Sequence, residues 1–267
     1  MLEYSFLIRA LAAASLSSLS LALFSPFVTL RRISYMGEAL SHIAFAGIAL
    51  AILAGWNMQF TAMLFVVGVS LAISWLSRRQ RLEEANAITI FLSVSMAIGI
   101  ILISLNKGYT FDLASYLFGN VLLANSTDLW LLGAAAVLNL IFILGFYKEL
   151  FYYAYNPELA RFYRLHAGLV NRLFMILLAV NIVINVRAAG IILVSAQLIL
   201  PAAAAFNLVD RLDRALVFCV VFSLLASFGG FALSWWLNLP TGASVVVLEF
   251  VMFLLSLLPR AFRRDRC

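Results

Sequence analysis

Residues 37–55, GEALSHIAFAGIALAILAG, form an apolar run that carries a carboxylate and an imidazole near its beginning. A helix needs roughly 20 apolar residues to cross a bilayer, so this run predicts a membrane-spanning helix. Glu38 and His42 are four residues apart and therefore lie on one face of that helix. Ionisable side chains at membrane depth are costly, and they usually mark a pathway or a site. The run thus indicates both the architecture and a place for chemistry.

The rest of the chain extends the same architecture. Hydrophobic residues make up 65% of the 267 residues and charged residues only 11%, which predicts an all-α, polytopic integral membrane protein. Division into apolar runs gives about nine transmembrane helices, or eight to nine. Pro26 is expected to break the first of them. The predicted spans are 8–29, 37–55, 58–77, 87–106, 128–147, 170–186, 189–207, 214–237 and 242–258.

The net charge of +6 sits in short loops, where it fixes orientation, and it does not indicate binding of nucleic acid. With the C-terminus in the cytoplasm, fifteen Lys and Arg residues fall on the inner side. Only Arg9, Lys107 and Arg187 then remain on the outer side. Nine helices place the N-terminus outside.

The chain is expected to form a single domain, residues 1–267, with two extended connections. The outer connection, 107–127, is semi-apolar and is expected to lie in the interface or to re-enter the membrane. The inner connection contains a short amphipathic helix over 155–168, with Asn156 before its start and Gly168 as its stop. That helix either rests on the lipid headgroups or docks a cytoplasmic partner.

Two helices are rich in small residues, the second over 37–55 and the seventh over 189–207. Small residues let helix backbones approach closely inside a membrane, so both are expected to be central. Pro201 is expected to break or kink the seventh helix. Buried amides, namely Asn181, Asn185 and Gln197, are expected to form hydrogen bonds between helices.

Glu38 and His42 are the leading candidates for divalent metal ligands, followed by Ser41 and Glu249. The alternative is that Glu38 and His42 only hydrogen-bond to each other and fix helix packing. Glu249 is either protonated and structural or a secondary acid on the pathway. A zinc protease is disfavoured because the H-E-x-x-H motif is missing. The sequence also lacks a phosphate-binding loop, so active transport needs an ion gradient or an ATPase on another chain.

Four stretches resemble the membrane permeases of bacterial ABC-type zinc, manganese and iron uptake systems. They occur in the family's order and span most of the chain. Two positions depart from the family pattern, since Glu38 replaces its usual Asp and Asn120 replaces an acid. The stretches are FVTLRR (27–32) with GEALSH (37–42), DLASYLFGN (112–120), NPELA (156–160) and GIILVSAQLILPAA (190–203).

The resemblance implies a homodimer of this chain in the bacterial cytoplasmic membrane, bound to cytoplasmic ATPase subunits and fed by an extracytoplasmic metal-binding protein. It implies that Glu38 and His42 contact Zn²⁺, Mn²⁺ or Fe²⁺ in transit, with no permanently bound cofactor and no enzyme activity on this chain. The segment 155–168 becomes the coupling helix, and 107–127 faces the binding protein. The expected coupling residues are Pro157, Glu158, Leu159, Ala160, Arg161 and Arg164.

Three alternatives remain open on the residues alone. The first is a stand-alone proton-coupled transporter that uses Glu38, His42 and Glu249 as a proton relay. The second is an ABC permease for an organic cargo. The third is a membrane scaffold whose polar residues only hold helices together.

Overall fold

The computed structural model describes residues 2–80, 82–105, 125–155 and 167–264, and over these ranges the regular secondary structure is helical, with no strand. Eleven helices follow one another within these ranges. They are α1 (Leu2–Ala22), α2 (Ser25–Leu30), α3 (Met36–Ala54), α4 (Met58–Gln80), α5 (Glu84–Leu105), α6 (Ser126–Gly145), α7 (Tyr147–Tyr155), α8 (Ala167–Ala189), α9 (Ile191–Leu208), α10 (Leu212–Leu237) and α11 (Thr241–Arg264).

Nine spans in the described part of the chain are long and apolar enough to cross a membrane, which confirms the predicted architecture. The first of these, Leu7–Leu30, is made of α1 and α2 in succession. The predicted break occurs at this point, since α1 ends at Ala22 and Pro26 lies in the first turn of α2. A proline is tolerated there because the first amides of a helix have no partner within the helix.

The connections between helices gather at two opposite faces of the bundle. At one face, Nη2 of Arg31, which follows α2, lies 3.0 Å from Oε1 of Glu84 at the start of α5. At the other, Nε of Arg187 near the end of α8 lies 3.5 Å from Oδ1 of Asp128 at the start of α6. We name the first the basic face; it carries the connections 31–35 and 209–211 and helix α7. That the basic face is cytoplasmic stays a prediction from charge.

Helix α3 is central, as its small residues predict. About 72% of its span is buried inside the protein, against 17% for α5. A Cβ atom on Gly47 would lie 2.8 Å from the Cα atom of Ala62 on α4, and one on Gly99 of α5 would lie 3.2 Å from the Cα atom of Ala46. The glycines therefore permit the close helix crossings on two sides of α3.

Helix α9 is less enclosed than α8, and Pro201 does not break it. Only 50% of its span is buried, less than the 61% of α8, so it is not among the most enclosed helices. It also continues through Pro201 from Ile191 to Leu208. The backbone amide of Ala202, next to the proline, donates a hydrogen bond of 3.1 Å to Oγ of Ser25 on α2. A side chain from a neighbouring helix thus compensates locally for the interrupted hydrogen-bond pattern.

The basic-face connection differs from the sequence prediction. Residues 147–155 form α7, whereas the sequence predicts only a connection between the spans 128–147 and 170–186. Gly168, predicted to stop a short helix, instead lies in the first turn of α8. All six predicted coupling residues lie outside the described residues, namely Pro157, Glu158, Leu159, Ala160, Arg161 and Arg164.

The predicted outer segment 107–127 is also described only at its end. Residues 107–124 lie outside the described residues. Asn125 caps α6 by accepting a hydrogen bond from the amide of Asp128, and the Asp128 carboxylate accepts one from the amide of Asn125. This reciprocal capping box fixes where α6 begins.

Candidate metal site

Glu38 and His42 lie one helical turn apart on α3 and share an exposed stripe. Between Met36 and Ala49 every other residue of the helix is buried, while Glu38 and His42 are partly exposed. On the remaining sides the helix is packed against α4, α5 and α9. Glu38 and His42 are thus the two positions between Met36 and Ala49 where the helix surface is not fully covered by neighbouring residues.

The two side chains do not neutralise each other. Among the residues that the structure describes, no hydrogen bond or salt bridge joins Glu38 to His42. The geometry therefore argues against the interpretation that the pair exists only to fix helix packing. A carboxylate and an imidazole left without partners at one accessible spot can both offer lone pairs to a cation.

Ser41, a further candidate ligand, has its hydroxyl engaged within α3. It is fully buried, and its hydroxyl donates a hydrogen bond of 2.6 Å to the carbonyl oxygen of Gly37, one turn earlier. Such back-bonding is common for serine inside a helix. The hydroxyl proton is thus engaged within α3, and Ser41 as a metal ligand stays a prediction.

Glu249 lies apart from this pair. It is 0% exposed in the interior of α11, and neither carboxyl oxygen has a hydrogen-bond partner among the described residues. The described part of the chain contains no group of three His, Cys, Asp or Glu residues placed to hold a metal ion. Glu249 therefore does not complete a cluster with Glu38 and His42 within one chain, and its place on the pathway stays a prediction.

The buried amides form hydrogen bonds between helices, as predicted. Nε2 of Gln197 on α9 donates to Oγ of Ser18 on α1 at 2.7 Å, and Ser18 also hydrogen-bonds to Ser227 on α10. Nδ2 of Asn181 on α8 donates to the carbonyl oxygen of Ser20 at 3.1 Å. These contacts join four helices away from α3. The serines were not identified from sequence, because a lone serine in an apolar helix carries no signal of its partner.

Two ligands are fewer than the four that zinc commonly takes. The site that one chain offers is therefore open, with room for water or for ligands from elsewhere. An open site of this kind suits an ion that enters and leaves, whereas a structural metal needs a closed set of ligands.

The chain matches a known family over nearly its whole length. The model of the ABC 3 transport family covers residues 3–260. The manganese transport system membrane protein MntC of Listeria monocytogenes is 33% identical over 258 residues, which are 97% of this chain and 92% of that protein. The high-affinity zinc uptake system membrane protein ZnuB of Haemophilus influenzae is 28% identical over 263 residues, 98% of this chain and 99% of that protein.

A solved structure shares the fold. The structure of PsaBC from Streptococcus pneumoniae in complex with Fab contains a chain that superposes with a TM-score of 0.80 at 30% sequence identity. The match covers 94% of this chain and 90% of that chain.

Proposed function

This chain belongs to the ABC 3 transport family, and on that premise we propose that it is the permease subunit of an ATP-driven importer that moves Mn²⁺ or Zn²⁺ into the cytoplasm. It is a multi-pass protein of the bacterial cytoplasmic membrane. ATP is hydrolysed on separate partner chains, and this chain provides the path for the ion.

One observation carries the proposal. Glu38 and His42 are the only residues between Met36 and Ala49 that are not buried, on a helix enclosed on its other sides. Ionisable side chains in a membrane-spanning helix are costly unless they face a water-filled cavity, a partner or a ligand. A cation in transit uses both and needs the access that this stripe provides.

The ligand chemistry favours borderline divalent ions. Carboxylate oxygen and imidazole nitrogen together suit Zn²⁺, Mn²⁺ and Fe²⁺ better than Mg²⁺, which prefers oxygen ligands and retains its water. The similar proteins named above are manganese and zinc transport proteins, which supports Mn²⁺ and Zn²⁺ as the first candidates for the cargo. The ion is cargo, and the chain needs no resident cofactor.

A homodimer gives the site a complete set of ligands. One chain contributes one carboxylate and one imidazole, so two copies related by a two-fold axis contribute four ligands. The exposed stripe on α3 is the surface through which the copies would share the ion. The two-fold arrangement is also the commonest symmetry of soluble homo-oligomers.

We expect a different partner at each face of the bundle. ATPase subunits bind at the basic face through the segment 155–168, and an extracytoplasmic metal-binding protein docks at the opposite face near 107–127. The ion is released into the dimer, held by ionised Glu38 and neutral His42, and then passed inward when ATP-driven rearrangement reverses access. Neutral imidazole and ionised carboxylate are the forms with lone pairs available for a metal.

The proposal is tested by supplying the purified protein either with ATP or with a pH gradient. The chain is reconstituted with its ATPase in proteoliposomes, and uptake of radiolabelled Mn²⁺ and Zn²⁺ is measured with internal or external ATP, together with the binding protein. The expected result is uptake that requires ATP on the basic face. Uptake driven by a pH gradient without ATP would instead indicate a proton-coupled transporter. No metal uptake under either condition would favour an organic cargo or a scaffold.

A further inference from the structure

Arg31 lies where four helical elements meet at the basic face. It is the first residue after α2, yet its side chain is only 5% exposed. Its Nη2 atom donates to both carboxylate oxygens of Glu84, at 3.0 Å each. Glu84 is the first residue of α5. Arg31 therefore does more than contribute to the positive charge that orients the chain.

Two aromatic rings complete the surroundings of this guanidinium. The Cζ atom of Arg31 is 5.0 Å from the ring centroid of Tyr153 on α7 and 4.9 Å from that of Phe174 on α8. Arginine is suited to such a position because its planar group stacks on rings while its edge binds a carboxylate. We name Arg31, Glu84, Tyr153 and Phe174 the Arg31 cluster.

The Arg31 cluster connects the two ends of the proposed mechanism. Tyr153 lies on α7, which ends at Tyr155, directly before the segment assigned to the ATPase. Arg31 opens the connection 31–35 that leads into α3, and Glu38 follows seven residues after Arg31. Glu84 begins α5, which crosses α3 closely at Gly99 and Ala46. Through Arg31, α7 is thus linked to α3 in two ways, by the connection 31–35 and by helix α5.

Stability alone is a weak reason for such a cluster. The Arg31 side chain is 5% exposed and that of Glu84 21%, so the arginine loses most of its hydration and the carboxylate part of it. Apolar residues of similar size often stabilise a fold as well or better. What a buried ion pair adds is a single preferred arrangement of the elements that it joins. Rigid attachment is the property that transmission of movement requires.

We propose that Arg31 is a positioning residue that couples displacement of α7 to α3, and so links ATP hydrolysis on the partner to movement of the metal-carrying helix. This inference rests on the proposed function for its role in transport. The attachment itself is a property of the chain and can be measured separately.

The transport test compares variants in the reconstituted importer by the number of ions moved per ATP hydrolysed. Arg31→Gln is expected to retain ATP hydrolysis and to lower this ratio by about tenfold. Arg31→Lys keeps the charge but loses the planar guanidinium that packs against the rings of Tyr153 and Phe174, so an intermediate ratio is expected. Tyr153→Phe keeps the ring and should retain coupling, whereas Tyr153→Leu should lower it. The control is Arg211→Gln, because its ion pair with Asp213 is surface-exposed, with side-chain exposures of 67% and 51%.

A second measurement uses the isolated chain and does not depend on transport. Amide hydrogen exchange in detergent is compared for wild type, Arg31→Gln and Arg211→Gln. Faster exchange is expected in both α7 and residues 36–42 of α3 for Arg31→Gln only. Exchange that changes only within 31–35, or an unchanged ratio of ions to ATP, overturns the proposal.

The two measurements separate the possible failures. A fall in ATP hydrolysis and uptake together, in proportion to lost thermal stability, would make the Arg31 cluster purely structural and overturn the inference. If wild type itself shows no ATP-driven uptake, the proposed function fails. The exchange experiment then still decides whether Arg31 attaches α7 to α3.

Discussion

At the scale of single residues, the proposed site depends on two properties of Glu38, its negative charge and its reach. Replacing Glu38 with Asp keeps a carboxylate at this position. Asp is also the usual residue there in the family that this chain resembles, so uptake should persist. Replacing Glu38 with Gln keeps the size but removes the charge that attracts the ion. We expect Glu38→Gln to lower the initial rate of metal uptake by about tenfold or more. Equal rates for the Asp and Gln variants would contradict a ligand role.

For Glu249 we expect the opposite result, that removing the carboxylate charge has little effect on metal uptake. Its carboxyl oxygens are buried and have no partner within the described residues. A buried charge without a partner is costly, so a neutral side chain of the same shape should be accepted. Glu249→Gln is expected to leave metal uptake within about twofold of wild type and to leave the unfolding temperature unchanged or raised. Loss of uptake in a well-folded Glu249→Gln protein would place this acid on the pathway.

Some residues could be identified from sequence and others could not. Glu38 and His42 are candidates from sequence alone because two ionisable residues at helical spacing in an apolar run are rare, and their role as ligands stays a prediction. Arg31 was predicted only as an orienting charge, since its contacts with Glu84 and Phe174 join positions distant along the chain. Those contacts follow from tertiary packing, which leaves no local pattern around Arg31.

At the scale of helices, the glycines of α3 and its neighbours control how closely the elements pack. A Cβ atom on Gly47 would lie 2.8 Å from the Cα atom of Ala62, which is backbone and cannot rotate away. We expect Gly47→Ala to destabilise the protein by about 1–3 kcal/mol. Gly68→Ala is the matched control because nothing lies within 4 Å of its Cβ position.

Thermal unfolding in detergent distinguishes the two variants. Gly68→Ala should be neutral or stabilising by up to about 1 kcal/mol, since alanine is the better helix former. Equal unfolding temperatures for the two variants would mean that α3 and α4 can separate without loss, contrary to the packing described above.

The hydrogen bond from Ala202 to Ser25 gives a second prediction for helices. Ser25→Ala removes the acceptor beside Pro201 and leaves a buried amide without this partner. We expect a loss of about 1–3 kcal/mol in the free energy of unfolding. Ser15→Ala is the control, because the Ser15 hydroxyl bonds only to the carbonyl of Leu11 in its own helix. A similar loss in both variants would show that the hydrogen bond beside Pro201 contributes no more to the free energy of unfolding than a serine hydrogen bond within one helix.

The helices were predictable to different degrees. Length and hydropathy suffice for a membrane-spanning helix, because the bilayer requires every backbone group to be paired. Helix α7 was not predicted, because a helix of nine residues is too short to span a bilayer and gives no long apolar run. Its mixture of aromatic and charged residues is also common in connections. The hydrogen bond from Ala202 to Ser25 beside Pro201 joins positions distant along the chain, so the sequence does not reveal it.

At the scale of the whole molecule, the fold encloses one helix and leaves a polar stripe open on it. The buried amides join α1, α8, α9 and α10, while the enclosed helix α3 carries its ionisable pair on its one partly exposed stripe. The Arg31 cluster at one face and the Arg187–Asp128 pair at the other tie the ends of the helices. A partly exposed polar stripe on a closely packed helix is compatible with the proposed passage of an ion between two copies of the chain.

The most direct test of this account is the initial rate of ATP-driven uptake of radiolabelled Mn²⁺ and Zn²⁺ into proteoliposomes containing wild type or His42→Ala. The stably folded Gly68→Ala variant serves as a control for the mutagenesis. The account predicts that wild type and Gly68→Ala transport metal, and that His42→Ala does not, although it still assembles with the ATPase and hydrolyses ATP. Uptake by His42→Ala at the wild-type rate would contradict the assignment of the metal pathway to α3.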